Sequence, residues 1–257
     1  MVSASLITPT YNVEKFIAKT LESVRKQTIK PSEFELILLD DRSTDNTVKI
    51  IKKEIKGMRN VKFFSRRENK GAAITRNQAI QKSKGEYIIL LDGDDLLEPD
   101  AVEATIDFMR ANPHVQYSYS KHKRIDEKEN FIYDRPGYHF SRKILSHLNF
   151  VGAIICFTRE IHDKIKGYNP KILYAQDWDH ILRASEILKK EQIKQNNNYL
   201  YLYRIHLNSI STTKNEERKK YVSKMLTTHF LKKGIDAEVF WSHMTKDKYN
   251  YFDWRVK

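Results

Sequence analysis

One apolar stretch that runs directly into a dense group of carboxylates constrains the fold of this chain more than any other feature. Residues 87–91 are aliphatic apart from one tyrosine, and Asp92, Asp94 and Asp95 follow at once. Such a run predicts a strand buried on both faces. Carboxylates this close repel one another, so a hard divalent cation, Mg²⁺ or Mn²⁺, is their natural partner. The alternative is a polar turn that ends the strand and caps a helix at residues 98–100.

Three earlier segments repeat the same plan of apolar run, polar loop and helical periodicity. The predicted strands are residues 4–8, 34–39, 61–64 and 87–91, and the predicted helices between them are 13–24, 48–55 and 72–84. Asn12 is the expected N-cap of the first helix, and Gly85 is expected to close the third. Strands that alternate with helices of this length predict an α/β fold with a parallel sheet and right-handed crossovers.

Ligands of such sheets bind beyond the carboxyl ends of the strands, where three polar loops are predicted to converge. These loops are residues 8–11, 40–41 and 92–95. Neither of the two common glycine-rich phosphate-binding motifs is present in the sequence.

After a helix at residues 99–111 the regular alternation ends. Strands are predicted at 115–120, 131–133, 152–157 and 199–205, with a turn at 196–198, and helices at 159–166 and 176–187. Residues 216–232 and 236–243 are expected to form two amphipathic helices. This C-terminal part is basic, with eleven Lys and Arg against six acids over residues 212–257.

Composition limits the class of protein. The chain has 257 residues, 40% of them hydrophobic, with 14 Tyr and 12 Phe, which excludes general disorder. The single cysteine, Cys156, excludes an intrachain disulfide, and residues 1–4 do not begin a secretion signal, so a cytoplasmic setting is expected. No segment approaches the roughly 20 apolar residues of a membrane span. The net charge of +13 suits nucleic acid, an anionic membrane surface or a lysine-rich proteome.

Five motifs in order resemble those of family 2 inverting glycosyltransferases, which have the GT-A fold. They are Thr-Pro-Thr-Tyr-Asn at 8–12, Asp-Asp-Arg-Ser-Thr-Asp at 40–45, Asn-Lys-Gly at 69–71 with Thr-Arg-Asn at 75–77, Gly-Glu-Tyr at 85–87 leading to Leu-Asp-Gly-Asp-Asp at 91–95, and Gln-Asp-Trp at 176–178. The resemblance covers roughly residues 3–211. Two positions depart from the family pattern: Arg42 replaces the usual Gly, and Gln176 replaces the usual Glu.

The resemblance implies a nucleotide-diphosphate sugar donor, usually UDP-linked, bound with Mn²⁺ or Mg²⁺. The implied donor-binding residues are Thr8, Pro9, Tyr11, Asp40, Asn69, Lys70, Arg76, Asp92, Gly93 and Asp95. Asp40 would meet the uracil edge, while Thr8, Pro9 and Tyr11 would wall the base. Asp40 has a second interpretation as a helix N-cap, and its role could be divided with Asp41.

By the same resemblance Asp94 and His206 would hold the metal, and Asp177 would be the general base for the acceptor hydroxyl. Gln176 and Trp178 would lie on the acceptor side. Asp177 could instead be only an N-cap, and Asp179 is a competing carboxylate.

The implied organisation is a GT-A domain over residues 1–211, with a nucleotide-binding half (1–98) and an acceptor-binding half (99–211), and a helical extension over 212–257. The expected acceptor is a glycan or a lipid-linked glycan of a surface polysaccharide. The basic extension could contact the inner face of a membrane through Lys219, Lys220, Lys224, Lys232 and Lys233 beside Tyr221, Met225, Leu226 and Phe230, or it could pack on the domain.

Two other classes have weaker support. A nucleotidyltransferase shares α/β nucleotide binding and metal carboxylates, but its glycine-rich loop is missing. A nucleic-acid-binding protein is supported by charge alone, so no nucleic-acid partner is expected.

Overall fold

The computed structural model describes residues 2–146, 149–151, 154–207, 209 and 215–231. The strands are β1 (Ala4–Thr10), β2 (Phe34–Asp40), β3 (Val61–Ser65), β4 (Tyr87–Leu90), β5 (Leu96–Leu97), β6 (Tyr117–Ile125), β7 (Phe131–Arg135), β8 (Cys156–Thr158) and β9 (Ile193–Arg204). The helices are α1 (Ile17–Arg25), α2 (Thr47–Glu54), α3 (Ala72–Gln81), α4 (Ala101–Ala111), α5 (Arg142–Leu145), α6 (Arg159–Lys164), α7 (Gln176–Ile187) and α8 (Asn215–Leu231), with a 3₁₀ turn at Lys190–Gln192. The predicted helix at 236–243 lies outside the described residues.

The strands form one sheet in the order β3-β2-β1-β4-β8-β6-β9-β5, and β7 pairs with β6. The pairings among β1 to β4 are all parallel, as predicted. Beyond β4 the sheet is mixed, because β8 is antiparallel to both β4 and β6 whereas β6 and β9 are parallel. β7 is antiparallel to β6.

The central strands are buried because apolar side chains cover both of their faces. Every residue of β2 is buried, which is the pattern of a parallel strand between two layers of helices. Alternate residues point to opposite layers. Ile37 and Leu39 join the hydrophobic cluster on one face of the sheet, and Leu36 and Leu38 join the cluster on the other.

Asn12 joins two loops and does not cap the first helix, so that prediction is wrong. α1 begins only at Ile17, four residues later than the periodicity indicated. Asn12 has a left-handed backbone (φ 53°), and its Oδ1 accepts a hydrogen bond from the Thr44 backbone N–H at 2.8 Å. The loop after β1 is therefore fastened to the loop after β2, at the edge of the sheet where the polar motifs meet.

Gly85 likewise does not close α3, which ends at Gln81 and has Lys82 as its C-cap. Gly85 lies where a Cβ atom would be 2.5 Å from the carbonyl carbon of Ala4. The glycine therefore permits close approach of the chain to the start of β1, a demand that no local pattern reveals.

The predicted turn at 196–198 is wrong, since these asparagines lie within β9. The pairing with β6 shifts there: Ser120 faces Asn196, but Lys121 faces Tyr199. The two additional residues of β9 are accommodated as a bulge, so the strand continues past them.

α8 packs on the domain through side chains that the sequence offered for membrane contact. Val222, Met225 and Leu226 are buried in the hydrophobic cluster on one face of the sheet. The Tyr174 hydroxyl also donates to Glu217 on α8 at 2.8 Å. Met225 and Leu226 are therefore unavailable to lipid, which corrects that part of the prediction. Among the described residues, no helix combines the length and the apolarity that crossing a bilayer requires.

Beneath α7 lies a buried cluster of aromatic rings and two histidines. His180 Nε2 lies 3.2 Å from His162 Nδ1, and the Tyr168 ring stacks on His180 with 4.3 Å between centroids. Burial lowers the pKa of His162 to about 4, and burial together with His162 lowers the pKa of His180 well below its usual value. Both imidazoles are thus kept neutral in the folded protein.

We predict that this cluster makes the protein acid-sensitive. In the unfolded chain a histidine takes up a proton near pH 6.5, but folded His162 does so only near pH 4, so stability present above pH 6.5 is lost as the pH falls between these values. At pH 5, His162 alone should cost about 2 kcal/mol of unfolding free energy. Urea titrations from pH 7.5 to 5 measure the free energy of unfolding, which should fall less steeply with decreasing pH in His162→Gln than in wild type. The exposed His114, changed to Gln, should leave the slope unaltered; equal slopes for all three proteins would contradict the prediction.

Candidate active site

The three carboxylates after β4 occupy three different environments. Asp95 is buried, and its two oxygens accept hydrogen bonds of 2.7 Å from the Tyr201 hydroxyl and the Arg204 backbone N–H. Burial raises the pKa of Asp95 well above its usual value, and the neighbouring Asp94 and Asp92 add to this rise. Both oxygens are therefore used to fix the loop against β9, which favours an internal role over a sugar contact.

Asp94 is partly exposed and contacts the predicted histidine. Its Oδ2 lies 3.0 Å from His206 Nε2, so the two predicted metal ligands are brought together. His206 is buried against the ring of Phe16, with 4.5 Å between centroids, and its Nδ1 has no hydrogen-bond partner among the described residues.

The fit of this pair to Mg²⁺ or Mn²⁺ can be judged from its donor set. In the described part of the chain, no group of three or more His, Cys, Asp or Glu side chains could hold a metal. Mg²⁺ in nucleotide sites is commonly held by one or two carboxylates together with substrate phosphates and water. Asp94 with His206 fits an ion shared with a diphosphate, and does not fit an ion held by the protein alone.

Asp92 pairs with Arg76, whose Nη2 donates to Oδ1 at 2.8 Å. Partial burial raises the pKa of Asp92, the Arg76 guanidinium opposes this rise, and Asp94 adds to it. The Asp92 backbone N–H donates to the Tyr201 hydroxyl at 3.2 Å. The same tyrosine thus contacts both ends of the acidic loop.

Arg76 connects this loop to the start of α7. Its Nη1 donates to Gln176 Oε1 at 2.8 Å, and Gln176 Nε2 donates to the Leu173 carbonyl at 3.1 Å. Gln176 is buried, and both ends of its amide have protein partners. The Arg76 side chain is itself only 14% exposed, so the chain Asp92–Arg76–Gln176 forms an internal bridge between two separate motifs.

Asp177 is the second residue of α7 and is partly exposed. The N-cap is Ala175, so the interpretation of Asp177 as only an N-cap is wrong. Its Oδ2 accepts a hydrogen bond of 2.8 Å from Asn149 Nδ2. The competing Asp179 is 9% exposed and bonded to Arg183 through two nitrogens at 2.8 and 2.6 Å. That pairing favours Asp177 as the reactive carboxylate.

Trp178 does not face an acceptor, which corrects the prediction made for it. The side chain is 6% exposed and belongs to the hydrophobic core. Its Nε1 donates to the Leu145 carbonyl at 2.8 Å. The tryptophan therefore anchors α7 to the last residue of α5.

On the nucleotide side, Asp40 is fully buried, and the Ser43 backbone N–H and the Thr10 hydroxyl donate to its oxygens at 3.0 and 3.3 Å. α2 begins at Thr47 with Asn46 as its cap, so the N-cap interpretation of Asp40 is wrong. Asp40 shapes the loop that a base would contact.

Asp41 organises the loop between β3 and α3, a role that the sequence did not assign. It accepts hydrogen bonds from the backbone N–H groups of Lys70 and Gly71 at 2.9 and 2.7 Å, and from Arg66 Nη1 at 2.9 Å. The paired acids at 40–41 were the available signal, because adjacent residues of an extended strand point to opposite sides.

The remaining donor-side residues lie at different depths. Thr8 is fully buried, and its hydroxyl has no hydrogen-bond partner among the described residues, whereas Tyr11 is 49% exposed. Gly93 packs closely against the end of β1, where a Cβ atom at residue 93 would be 3.3 Å from the Pro9 carbonyl oxygen.

Asn69 and Lys70 are exposed in the loop between β3 and α3. Lys70 Nζ lies 3.6 Å from Glu68 on the surface, and the Asn69 amide oxygen accepts from the Gly71 backbone N–H at 3.2 Å. Both side chains are accessible to a ligand. Neither makes a contact with a buried residue, among those described, that would direct it toward the acidic loop.

The motifs therefore lie together at the carboxyl ends of the parallel strands, where Arg76 joins the acidic loop to the start of α7 next to Asp177. Residues 5–169 match the family model described as glycosyl transferase family 2. The chain belongs to this family, and it is a glycosyltransferase. The nucleotidyltransferase and nucleic-acid-binding alternatives are wrong as the class of the protein.

Characterised relatives include two bacterial enzymes. The chain is 32% identical to chondroitin synthase of Escherichia coli over 236 residues, which cover 90% of this chain and 33% of that enzyme. It is 40% identical to poly(ribitol-phosphate) beta-N-acetylglucosaminyltransferase TarP of Staphylococcus aureus over 115 residues, covering 44% of this chain and 34% of the relative. The chain thus spans about a third of the length of each of these two relatives.

Solved structures place the fold among GT-A glycosyltransferases, as predicted. Residues 1–349 of S. aureus TarS in complex with UDP-GlcNAc superpose with a TM-score of 0.75 at 20% identity, over 100% of this chain and 76% of that one. The mannosyltransferase PcManGT of Pyrobaculum calidifontis, in complex with GDP-Man and Mn²⁺, gives 0.67 at 16% identity, over 89% and 63%.

The departure at residue 42 has a measurable consequence. Arg42 is exposed and has a left-handed backbone (φ 66°), which explains why glycine is usual there. We predict that Arg42→Gly stabilises the protein, because relief of about 1–2 kcal/mol of backbone strain exceeds the added entropy of the unfolded chain. Chemical denaturation measures this change. The matched variant is Arg67→Gly in the loop after β3, which should destabilise the protein. An equal loss of unfolding free energy in Arg42→Gly and Arg67→Gly would contradict the prediction.

Proposed function

We propose that the protein is an inverting, metal-dependent glycosyltransferase that moves a sugar from a nucleotide-diphosphate donor, a UDP-sugar, to a hydroxyl group of a glycan or lipid-linked acceptor. The observation that carries this proposal is Asp177, a carboxylate at the start of α7 that is held by a neutral amide and is tied through its neighbour Gln176 to the acidic loop. The TarS structure in complex with UDP-GlcNAc supports a UDP-linked donor.

For the donor, the loops that Asp40 and Asp41 shape would hold the nucleoside, with Pro9 and Tyr11 beside the base. Arg76 would act by fixing Asp92, because its terminal nitrogens already bond to Asp92 and Gln176. A divalent ion bound by Asp94 and His206 would offset the negative charge that develops on the departing diphosphate. PcManGT in complex with Mn²⁺ supports this assignment.

For the acceptor, Asp177 would act as general base. As the acceptor oxygen attacks the anomeric carbon, its proton passes to the free oxygen of the Asp177 carboxylate. The new bond from oxygen to carbon forms on the face opposite the bond to the UDP oxygen, which breaks with its electron pair leaving on UDP. One displacement therefore inverts the anomeric configuration. The position of Asp177 in the first turn of α7 favours a negative charge there.

The organisation proposed for the chain follows the same roles. Residues 1–98 would bind the nucleotide and residues 99–211 the acceptor, with the helical extension beyond. A cytoplasmic location, with lysines of the extension at the inner face of a membrane, would suit a lipid-linked acceptor. Lys224 is exposed on α8, opposite the buried Met225 and Leu226.

Asp177→Asn tests the general base. The substituted amide keeps an oxygen that can accept from Asn149, so the melting temperature and donor affinity should stay close to those of wild type. Turnover should fall at least about a hundredfold, the usual scale for loss of a general base. Release of UDP from UDP-sugars with water as acceptor provides an assay that needs no knowledge of the natural acceptor. The exposed Asp163, changed to Asn, is the control; turnover of Asp177→Asn within a few-fold of wild type would reject the assignment.

Asp94→Ala tests the metal. Removal of this carboxylate should abolish the increase in UDP affinity that Mn²⁺ brings, and with it turnover. The fold should be kept, because among the described residues the Asp94 side chain bonds only His206, and the hydrogen bond from Arg204 goes to the Asp94 backbone carbonyl, which the substitution retains. Calorimetric titration of UDP with and without Mn²⁺ measures the effect separately from turnover. Asp100→Ala, an exposed acid close by in the chain, should behave as wild type. Equal Mn²⁺ dependence in Asp94→Ala and wild type would contradict the role.

A further inference from the structure

We infer that Asn149 is a positioning residue that aims the Asp177 carboxylate at the acceptor hydroxyl. The inference rests on the proposed role of Asp177 as general base. It concerns a residue outside the five sequence motifs, in the connection between α5 and β8.

The contact is directional. Asn149 Nδ2 donates to Asp177 Oδ2 at 2.8 Å, while its Oδ1 accepts from the Val151 backbone N–H at 3.2 Å. These two bonds fix which end of the amide faces the carboxylate. A flipped amide would place an oxygen against an oxygen and would lose both bonds.

The segment that carries Asn149 is itself anchored. Phe150 and Val151 are buried in the hydrophobic core, as is Leu145 before them. The Leu145 carbonyl also accepts the hydrogen bond from Trp178 Nε1. This stretch of chain therefore bonds two successive residues of the first turn of α7, Asp177 and Trp178. The position of the Asn149 amide is fixed by the packing of its neighbours in the core.

A carboxylate on its own rotates readily, since the terminal torsion of Asp is broad. With Oδ2 held by Asn149, the carboxylate plane is fixed and the other oxygen, Oδ1, also has a defined position. The neutral partner matters for reactivity: a cation beside a carboxylate stabilises its ionised form and weakens it as a base. Asp179, two residues further along α7, shows the contrast, because Arg183 bonds it and makes it a structural ion pair.

Asn149→Ala tests this inference with the UDP-sugar that the wild-type protein hydrolyses fastest. We expect kcat for UDP release to fall about 10- to 100-fold, the scale of a misdirected catalytic group. The KM for the donor should stay within about twofold, because the donor-side residues are untouched. The control is Asn60→Ala, which removes an amide that bonds the Phe34 carbonyl at the opposite end of the sheet. Its kcat and KM should equal those of wild type.

Asn149→Asp adds a readout that a purely structural role would not move. At neutral pH its carboxylate lacks the donor and repels Asp177, so its kcat should lie below that of Asn149→Ala. As the pH is lowered from about 8 to about 5.5, protonation of the introduced carboxylate restores an O–H donor toward Asp177. The kcat of Asn149→Asp divided by that of Asn149→Ala should therefore rise above one.

Three results would overturn the inference. Wild-type kcat in Asn149→Ala, with Asp177→Asn inactive, would reject it while leaving the general base in place. A parallel loss of donor affinity and melting temperature in both Asn149 variants, with a constant ratio of their kcat values across pH, would assign Asn149 a structural role. Activity in Asp177→Asn would remove the proposed base and the positioning role together.

Discussion

The site depends on one buried guanidinium. Arg76 on α3 bonds Asp92 after β4 and Gln176 at the start of α7, two residues that lie far apart in the chain. Burial disfavours the charged form of Arg76, but the Asp92 carboxylate together with Tyr168 and Asp177 outweighs that cost and raises the pKa of Arg76. Arg76 cannot move without releasing either the acidic loop or the helix that carries Asp177. The spacing between the metal side and the base side is therefore set by a single planar group, whose fork geometry a lysine could not reproduce.

The acidic loop is made possible by the strand beside it. Carboxylates this close would repel one another if all faced the same space. β9 removes Asp95 from the crevice through Tyr201 and the Arg204 backbone, while the Arg204 side chain donates to the Asp94 carbonyl at 2.8 Å. Of the three carboxylates, only Asp92 and Asp94 then remain partly exposed. Asp92 is paired with Arg76, and Asp94 is paired with His206. A strand of the second half of the sheet thus completes a site that begins at the end of the first half.

The sequence allowed the parallel half of the fold and the meeting of the motifs to be predicted, because buried runs such as β2 and the alternation of strands and helices are local signals. The roles of individual side chains could not be predicted as well. Whether Trp178 faces a ligand or the core depends on the distant Leu145 carbonyl, and the burial of Thr8 depends on the strands around it. Asn149 lies in no motif, and nothing near it in the sequence indicates its contact with Asp177.

The glutamine that replaces the usual glutamate at residue 176 can now be understood from its partners. Its oxygen accepts from Arg76, and its nitrogen donates to the Leu173 carbonyl. A glutamate could make the first bond but would place a carboxylate oxygen against a carbonyl at the second, which is repulsive. The amide therefore closes the turn before α7, where Ala175 already has a left-handed backbone (φ 55°). It also leaves Asp92 as the carboxylate that pairs with Arg76, so the residue before Asp177 on α7 carries no charge, and the hydrogen bond that holds Asp177 comes from the neutral amide of Asn149.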